Sequence, residues 1–145
     1  MDLLEAQAFW MLGMLPREKI PGIAQEALEQ GLDDPSLRIL AGLTEGELDQ
    51  ATSRFEKTLA AMGFKAPEMS GALRICIRAI STQIVNNEIA PYEGARLIWR
   101  AARKVDGSHE GDPFIYAASE YEDRPNDRQF FASEIVREAK RRLGE

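Results

Sequence analysis

The chain reads as all-α: a compact irregular bundle of about seven or eight short helices in a single domain. Three observations predict this. Helix-start signals recur along the whole length. Asp34-Pro35 and Asp112-Pro113 each place an N-cap residue before a proline at the first helical position, and Thr44-Glu45-Gly46-Glu47 has the spacing of a capping box. Between these signals apolar residues recur at steps of three and four, and no stretch alternates with period two between hairpin turns. Finally, 145 residues that are 44% hydrophobic make a domain of ordinary size with enough apolar surface for a core.

The first helix is expected over Leu3 to Gly13. Leu4, Ala8, Met11 and Leu12 form a stripe, but Phe9 and Trp10 make the helix apolar nearly all round, so it is either central or faces a partner. Pro16 and Pro21 break the chain after it, because each proline lacks an amide donor and restrains the residue before it. The second helix runs over Pro21 to Gln30, with Ile23, Ala24, Ala27 and Leu28 inward and Gly31 suited to the left-handed position after the last turn. A short third helix, Pro35 to Ala41, carries Leu37 and Leu40 one turn apart and ends at Gly42. The fourth follows from the capping box over Glu45 to Met62, with Leu48, Ala51, Phe55, Leu59 and Met62 as its core stripe and Gly63 after it.

The fifth helix, Glu68 to Asn87, looks central, with Leu73, Cys76, Ile77, Ile80, Ile84 and Val85 facing one way. Arg74 and Arg78 sit one turn apart on its polar side, and Asn86-Asn87 is its stop. The sixth, Pro91 to Lys104, places Ala95, Ile98, Trp99 and Ala102 at helical spacing, and Arg100, Arg103 and Lys104 complement the dipole of its last turn. The seventh, Pro113 to Asp123, aligns Phe114, Ala117, Ala118 and Tyr121. The eighth, Pro125 to Leu143, carries Phe131, Ile135, Val136, Ala139 and Leu143 inward. No repeat of fixed period signals a solenoid.

Charge and cysteine content bound the function classes. The net charge of −6 is unevenly spread: −6 over residues 1–72, +4 over 73–104, −6 over 105–123 and +2 over 124–145. An acidic chain is a poor non-specific ligand for nucleic acid, which is bound by neutralising phosphates, and the +4 and −6 stretches are expected to fold against each other. The single Cys76 lies in an apolar stretch and reads as a core residue rather than a nucleophile. Acidic residues crowd the N-terminus where a secretory signal carries positive charge, and Ala8 to Leu15 is far shorter than the ~20 apolar residues that span a bilayer. We expect a cytoplasmic chain that does not enter a membrane.

The binding candidates lie in one segment, Ile89 to Trp99. Pro91 sets the start of the sixth helix; Tyr92 and Arg96 are four residues apart and share a face, and Glu93 can pair with Arg96 three residues on. Gly94 costs that helix about 1 kcal/mol of propensity relative to Ala, which close approach of another helix or a ligand would offset. Tyr, Arg and Trp are the types enriched at binding hot spots, so Tyr92, Glu93, Arg96, Trp99 and Arg100 form the candidate site. The structural alternative puts Trp99 in the core, Gly94 at a helix contact and Arg96 in an internal pair. The run Pro91 to Trp99, with Ser36 to Leu43 upstream, resembles an uncharacterised family of small bacterial all-helical proteins. The resemblance implies a bacterial cytosolic origin and an all-helical fold, and carries over no activity or catalytic position.

A second candidate is the acidic cluster Glu120, Glu122 and Asp123, which a small-molecule or divalent-metal-binding enzyme could use. The Glu-x-x-His pattern of di-iron bundles is absent, and pairing with Arg124, Arg128 or the basic sixth helix is the structural alternative. His109 lies alone in a polar loop, no nucleophile elbow or phosphate-binding glycine pattern is present, and we expect no cofactor and no catalytic set. The basic run Lys140-Arg141-Arg142 is expected to serve the last carbonyls of its own helix. Function is therefore expected to lie in interaction with another protein rather than in catalysis, with homo-oligomerisation through the apolar first helix as a further alternative.

Overall fold

Eight α-helices joined by short turns make up residues 1–144, the residues described by this computed structural model, and no strand occurs among them. Contacts divide the chain into two compact units, Met1–Glu68 and Met69–Glu145, and each is described by itself.

The first unit holds α1 (Leu3–Met11), α2 (Ile20–Glu29), α3 (Pro35–Ala41) and α4 (Ala51–Ala61), with 3₁₀ turns over Arg17–Lys19 and Glu45–Gln50. Helix α2 lies against α1, α3 and α4, and α3 against α4. Their apolar stripes meet in a core built from Leu3, Ile20, Leu37, Leu40, Phe55 and Leu59, among others. Trp10 packs edge-on to Phe55 at 6.4 Å between ring centres. In α1 the residues Leu3, Ala6, Ala8 and Phe9 are buried, as is Leu12 just after it, while Leu4 is exposed.

Local chemistry explains most boundaries. The Asp34 carboxylate accepts the Ser36 amide at 2.8 Å, so α3 starts where the Asp-Pro pair predicts. Gly31 and Gly63 follow α2 and α4 at φ +98° and +83°, the left-handed geometry that lacks a Cβ penalty in glycine. Two expectations are corrected. The predicted fourth helix begins as the 3₁₀ turn at Glu45, and α-geometry starts only at Ala51; Leu48 is consequently only partly buried. The Glu47 carboxylate still accepts from the Thr44 amide (3.1 Å) and hydroxyl (2.9 Å), and these bonds, the amide's first, hold Glu47 below the usual carboxylate range. The second helix begins at Ile20, one residue before Pro21, because the 3₁₀ turn Arg17–Lys19 runs directly into it.

The second unit holds α5 (Met69–Val85), α6 (Pro91–Ala102), α7 (Asp112–Asp123) and α8 (Arg128–Arg142), with a 3₁₀ turn over Pro125–Asp127 leading into α8. Each helix touches the next, α8 closes back on α5, and α6 also meets α8. Leu73, Cys76, Ile77, Ile80 and Ile84 of α5, Ala95 and Ile98 of α6, Phe114 and Ala118 of α7, and Phe131, Ile135 and Ala139 of α8 are buried. Asn87 adopts φ +58° after α5, at the predicted stop. The N-cap of α7 is Gly111, not Asp112: Asp112 is the first helical residue, and its carboxylate reaches His109 Nδ1 at 2.8 Å instead. The C-terminal arginines also differ from expectation. Arg141 and Arg142 turn back to Glu138, Arg142 crosses to the Glu110 carboxylate and carbonyl, and the Arg142 carbonyl accepts from Arg78. A carboxylate is a stronger acceptor for a guanidinium than a helix-end carbonyl, and the long arginine side chains reach two of them here. No helix among the described residues is long and apolar enough to cross a membrane.

Candidate functional site

Helix α6 carries the candidate residues, and three features place it. Pro91 is its first residue, and Ala90 before it is extended (φ −63°, ψ 142°), as a residue preceding proline prefers. Gly94, Ala95, Ile98 and Ala101 form the buried face. A Cβ built on Gly94 would sit 2.6 Å from Cδ1 and Cγ1 of Ile84 in α5, so the helix, not a ligand, occupies the space that glycine leaves open.

With that face buried, helical geometry turns Tyr92, Arg96, Trp99, Arg100 and Arg103 outward, one side of α6 at steps of three and four. At its N-terminal end Tyr92 stacks on Tyr121 of α7, with ring centres 4.4 Å apart and planes 14° apart. The Tyr92 hydroxyl donates to Glu122 Oε1 at 2.7 Å. That bond, with some help from burial, raises the phenol above the usual tyrosine range, because the carboxylate holds its proton. Arg96 Nη1 lies 3.5 Å from the same Glu122 oxygen. Arg128 closes the group from the other side, donating to the Tyr121 carbonyl at 3.2 Å with its guanidinium 5.1 Å from the Tyr121 ring centre.

At the C-terminal end Trp99 is partly exposed between two cations. The Arg96 and Arg103 guanidinium carbons lie 5.4 and 5.5 Å from its ring centre, within cation–π range. A cleft of about 170 Å³ is lined by Arg96, Leu97, Trp99, Arg100 and Arg103.

Two expectations are corrected here. Arg96 pairs with Glu122, not with Glu93, because α7 brings a carboxylate to it that is already oriented by Tyr92. Trp99 and Ala102 are only partly buried; the buried stripe of α6 runs through Gly94 and Ala101 in their place, with Gly94 against Ile84 of α5 where no side chain fits. Two of the three carboxylates in the acidic cluster of α7 are engaged by arginines, Glu120 with Arg124 at 3.6 Å and Glu122 with Arg96 of α6. Among the described residues no three His, Cys, Asp or Glu side chains converge as a metal site would require. The basic stretch 73–104 meets the acidic stretch 105–123 through Arg74–Glu110 (3.6 Å) and Arg96–Glu122.

One feature escaped the sequence reading. Tyr116 and Phe130 are exposed at 63% and 59% and flank the buried Phe131, each edge-on to it at 6.5 and 5.0 Å. Together with Pro113, Arg124 and Arg137 they line an open groove of about 490 Å³ between α7 and α8. The available signal was that both rings fall off the core stripes of their helices.

No protein family, curated protein or solved structure matches the chain.

Proposed function

We propose that this chain is a non-enzymatic protein–protein interaction module, an adaptor or an immunity-like regulatory protein of a bacterial cytoplasm, that docks its partner on the exposed side of α6. One observation carries the reading: Trp99, a large aromatic side chain, lies partly exposed between the Arg96 and Arg103 guanidiniums instead of in the core. A partly exposed tryptophan flanked by arginines combines two residue types enriched at binding hot spots. Arg96 is held by Glu122 and the Tyr92–Tyr121 stack braces the helix start, so the surface is ordered before a partner arrives. Pre-ordering lowers the entropy lost on association. The bacterial and cytoplasmic parts of the reading rest on the resemblance of Pro91 to Trp99, with Ser36 to Leu43 upstream.

Affinity capture from the native host's lysate tests it, with wild type beside Trp99→Ala and Arg100→Glu, each first shown by circular dichroism to keep its helices. A stoichiometric partner retained by wild type and lost by both variants supports the docking face. A partner retained equally by both variants refutes it.

A further inference from the structure

We infer that the segment docking on α6 is an acidic peptide stretch of a partner protein, whose carboxylates pair with Arg100, Arg103 and Lys104 while an adjoining apolar side chain meets Trp99. This rests on the docking face proposed above and adds the chemistry of its occupant.

Cations without a carboxylate partner gather at one end of α6. In this unit Arg74, Arg96, Arg124, Arg137, Arg141 and Arg142 each sit within 4.0 Å of a carboxylate. Arg78, Arg100, Arg103, Lys104, Arg128 and Lys140 pair with no carboxylate among the described residues; Arg78 and Arg128 donate to backbone carbonyls instead, and Arg100, Arg103 and Lys104 fall together, within five residues on and just beyond one helix. Two of them line the cleft that Trp99 floors. A chain of net charge −6 that gathers unpaired cations at one place repels an acidic partner elsewhere and steers it there.

The extent of the stripe favours a peptide over a nucleic acid. A helix of 12 residues is about 18 Å long. Glu93 and Glu122 border the N-terminal end of the stripe, and Asp106 follows its other end. A nucleic acid carries charge continuously and would run onto these carboxylates, whereas a peptide can place two or three acids on the cations and stop.

The test is selection from a random-peptide display library on the full-length chain, followed by fluorescence-anisotropy titration of the enriched peptides. Wild type is compared with Trp99→Ala, with the double variant Arg100→Glu/Arg103→Glu and with Arg100→Lys/Arg103→Lys, each checked for folding by circular dichroism. The expected result is enrichment of peptides with an excess of Asp and Glu that bind more weakly as salt rises. The double charge reversal should weaken them by roughly tenfold or more, as two exposed pairs turned repulsive would, and the lysine variant should retain binding. Peptides that need Trp99 but show no acidic bias, or that tolerate the charge reversal, would overturn the acidic occupant and leave the docking face standing. Peptides that ignore both Trp99→Ala and the charge reversal, or no enrichment at all, would overturn both. Tighter binding of oligodeoxythymidine than of any peptide would replace the peptide by nucleic acid.

Discussion

Gly94 of α6 and Ile84 of α5 are in a contact that admits no side chain between them: a Cβ on Gly94 would fall 2.6 Å from two carbons of Ile84 and 3.4 Å from Cγ2 of Ile80. Propensity alone would make Gly94→Ala stabilising by about 1 kcal/mol. Ile84 and Ile80 are buried, so neither can swing away, and overpacking costs about 1–3 kcal/mol. The expected net effect is destabilisation by about 1 kcal/mol, read as a lower denaturation midpoint. A raised midpoint would show that the two helices move apart freely.

Ser81 of α5 is fully buried, and its hydroxyl has no hydrogen-bond partner among the described residues. A buried unpaired polar group is a net penalty, and Ala is the better helix former. Ser81→Ala should therefore stabilise the chain by about 1 kcal/mol in chemical denaturation, the opposite sign to most buried substitutions.

Arg142 joins α8 to the loop before α7 through its bond to Glu110 at 3.1 Å, and also donates to Glu138 one turn back on α8 at 3.0 Å. Its side chain is 19% exposed and Glu138 is 14% exposed. Arg142→Ala should cost about 1 kcal/mol, since it removes the more buried of two arginines from each of two partly buried carboxylates, leaving Arg141 on Glu138 and Arg74 on Glu110. Burial pushes the Glu138 carboxyl up, but the bonds from Arg141 and Arg142 outweigh it and hold it below the usual range. A lowered folded-state value means that its stabilisation is fully present above the ordinary glutamate range and is lost as pH falls through the lowered value. Glu138→Gln should therefore flatten the acid limb of a stability–pH curve without altering its shape near neutrality.

Asp34 caps α3 with a 2.8 Å bond to the Ser36 amide. Asp34→Ala should destabilise by about 1 kcal/mol, and Asp34→Asn should restore most of it, because the cap needs an acceptor more than a charge.

The Tyr92–Glu122 bond gives a spectroscopic prediction. The phenol is held above the usual tyrosine range by Glu122, so its contribution to stability is present at neutral pH and disappears as pH rises through that raised value. Glu122→Gln should lower the Tyr92 transition in an ultraviolet difference titration. Tyr92→Leu, which also removes the stack on Tyr121, should cost about 1 kcal/mol.

What the sequence determined by itself was local. Caps such as Asp34, left-handed stops such as Gly31, Gly63 and Asn87, and the stripes through Phe55, Ile77 and Ile135 act over three to five residues, so the number and order of helices could be read directly. The 3₁₀ start at Glu45 and the shift of the α7 cap to Gly111 escaped because alternative local hydrogen bonds differ little in energy. Tertiary structure alone decided the candidate site. Arg96 had a plausible partner three residues away in Glu93, yet α7 supplies Glu122, 26 positions further on and already fixed by Tyr92. Trp99 had the spacing of a core residue, but α6 buries the face of Gly94, Ala95, Ile98 and Ala101, with Gly94 tight against Ile84 of α5, and this turns the indole toward the partly exposed side. Periodicity defines a face of a helix; which face is buried depends on how closely the neighbouring helix comes, and that distance is set by side chains remote in sequence.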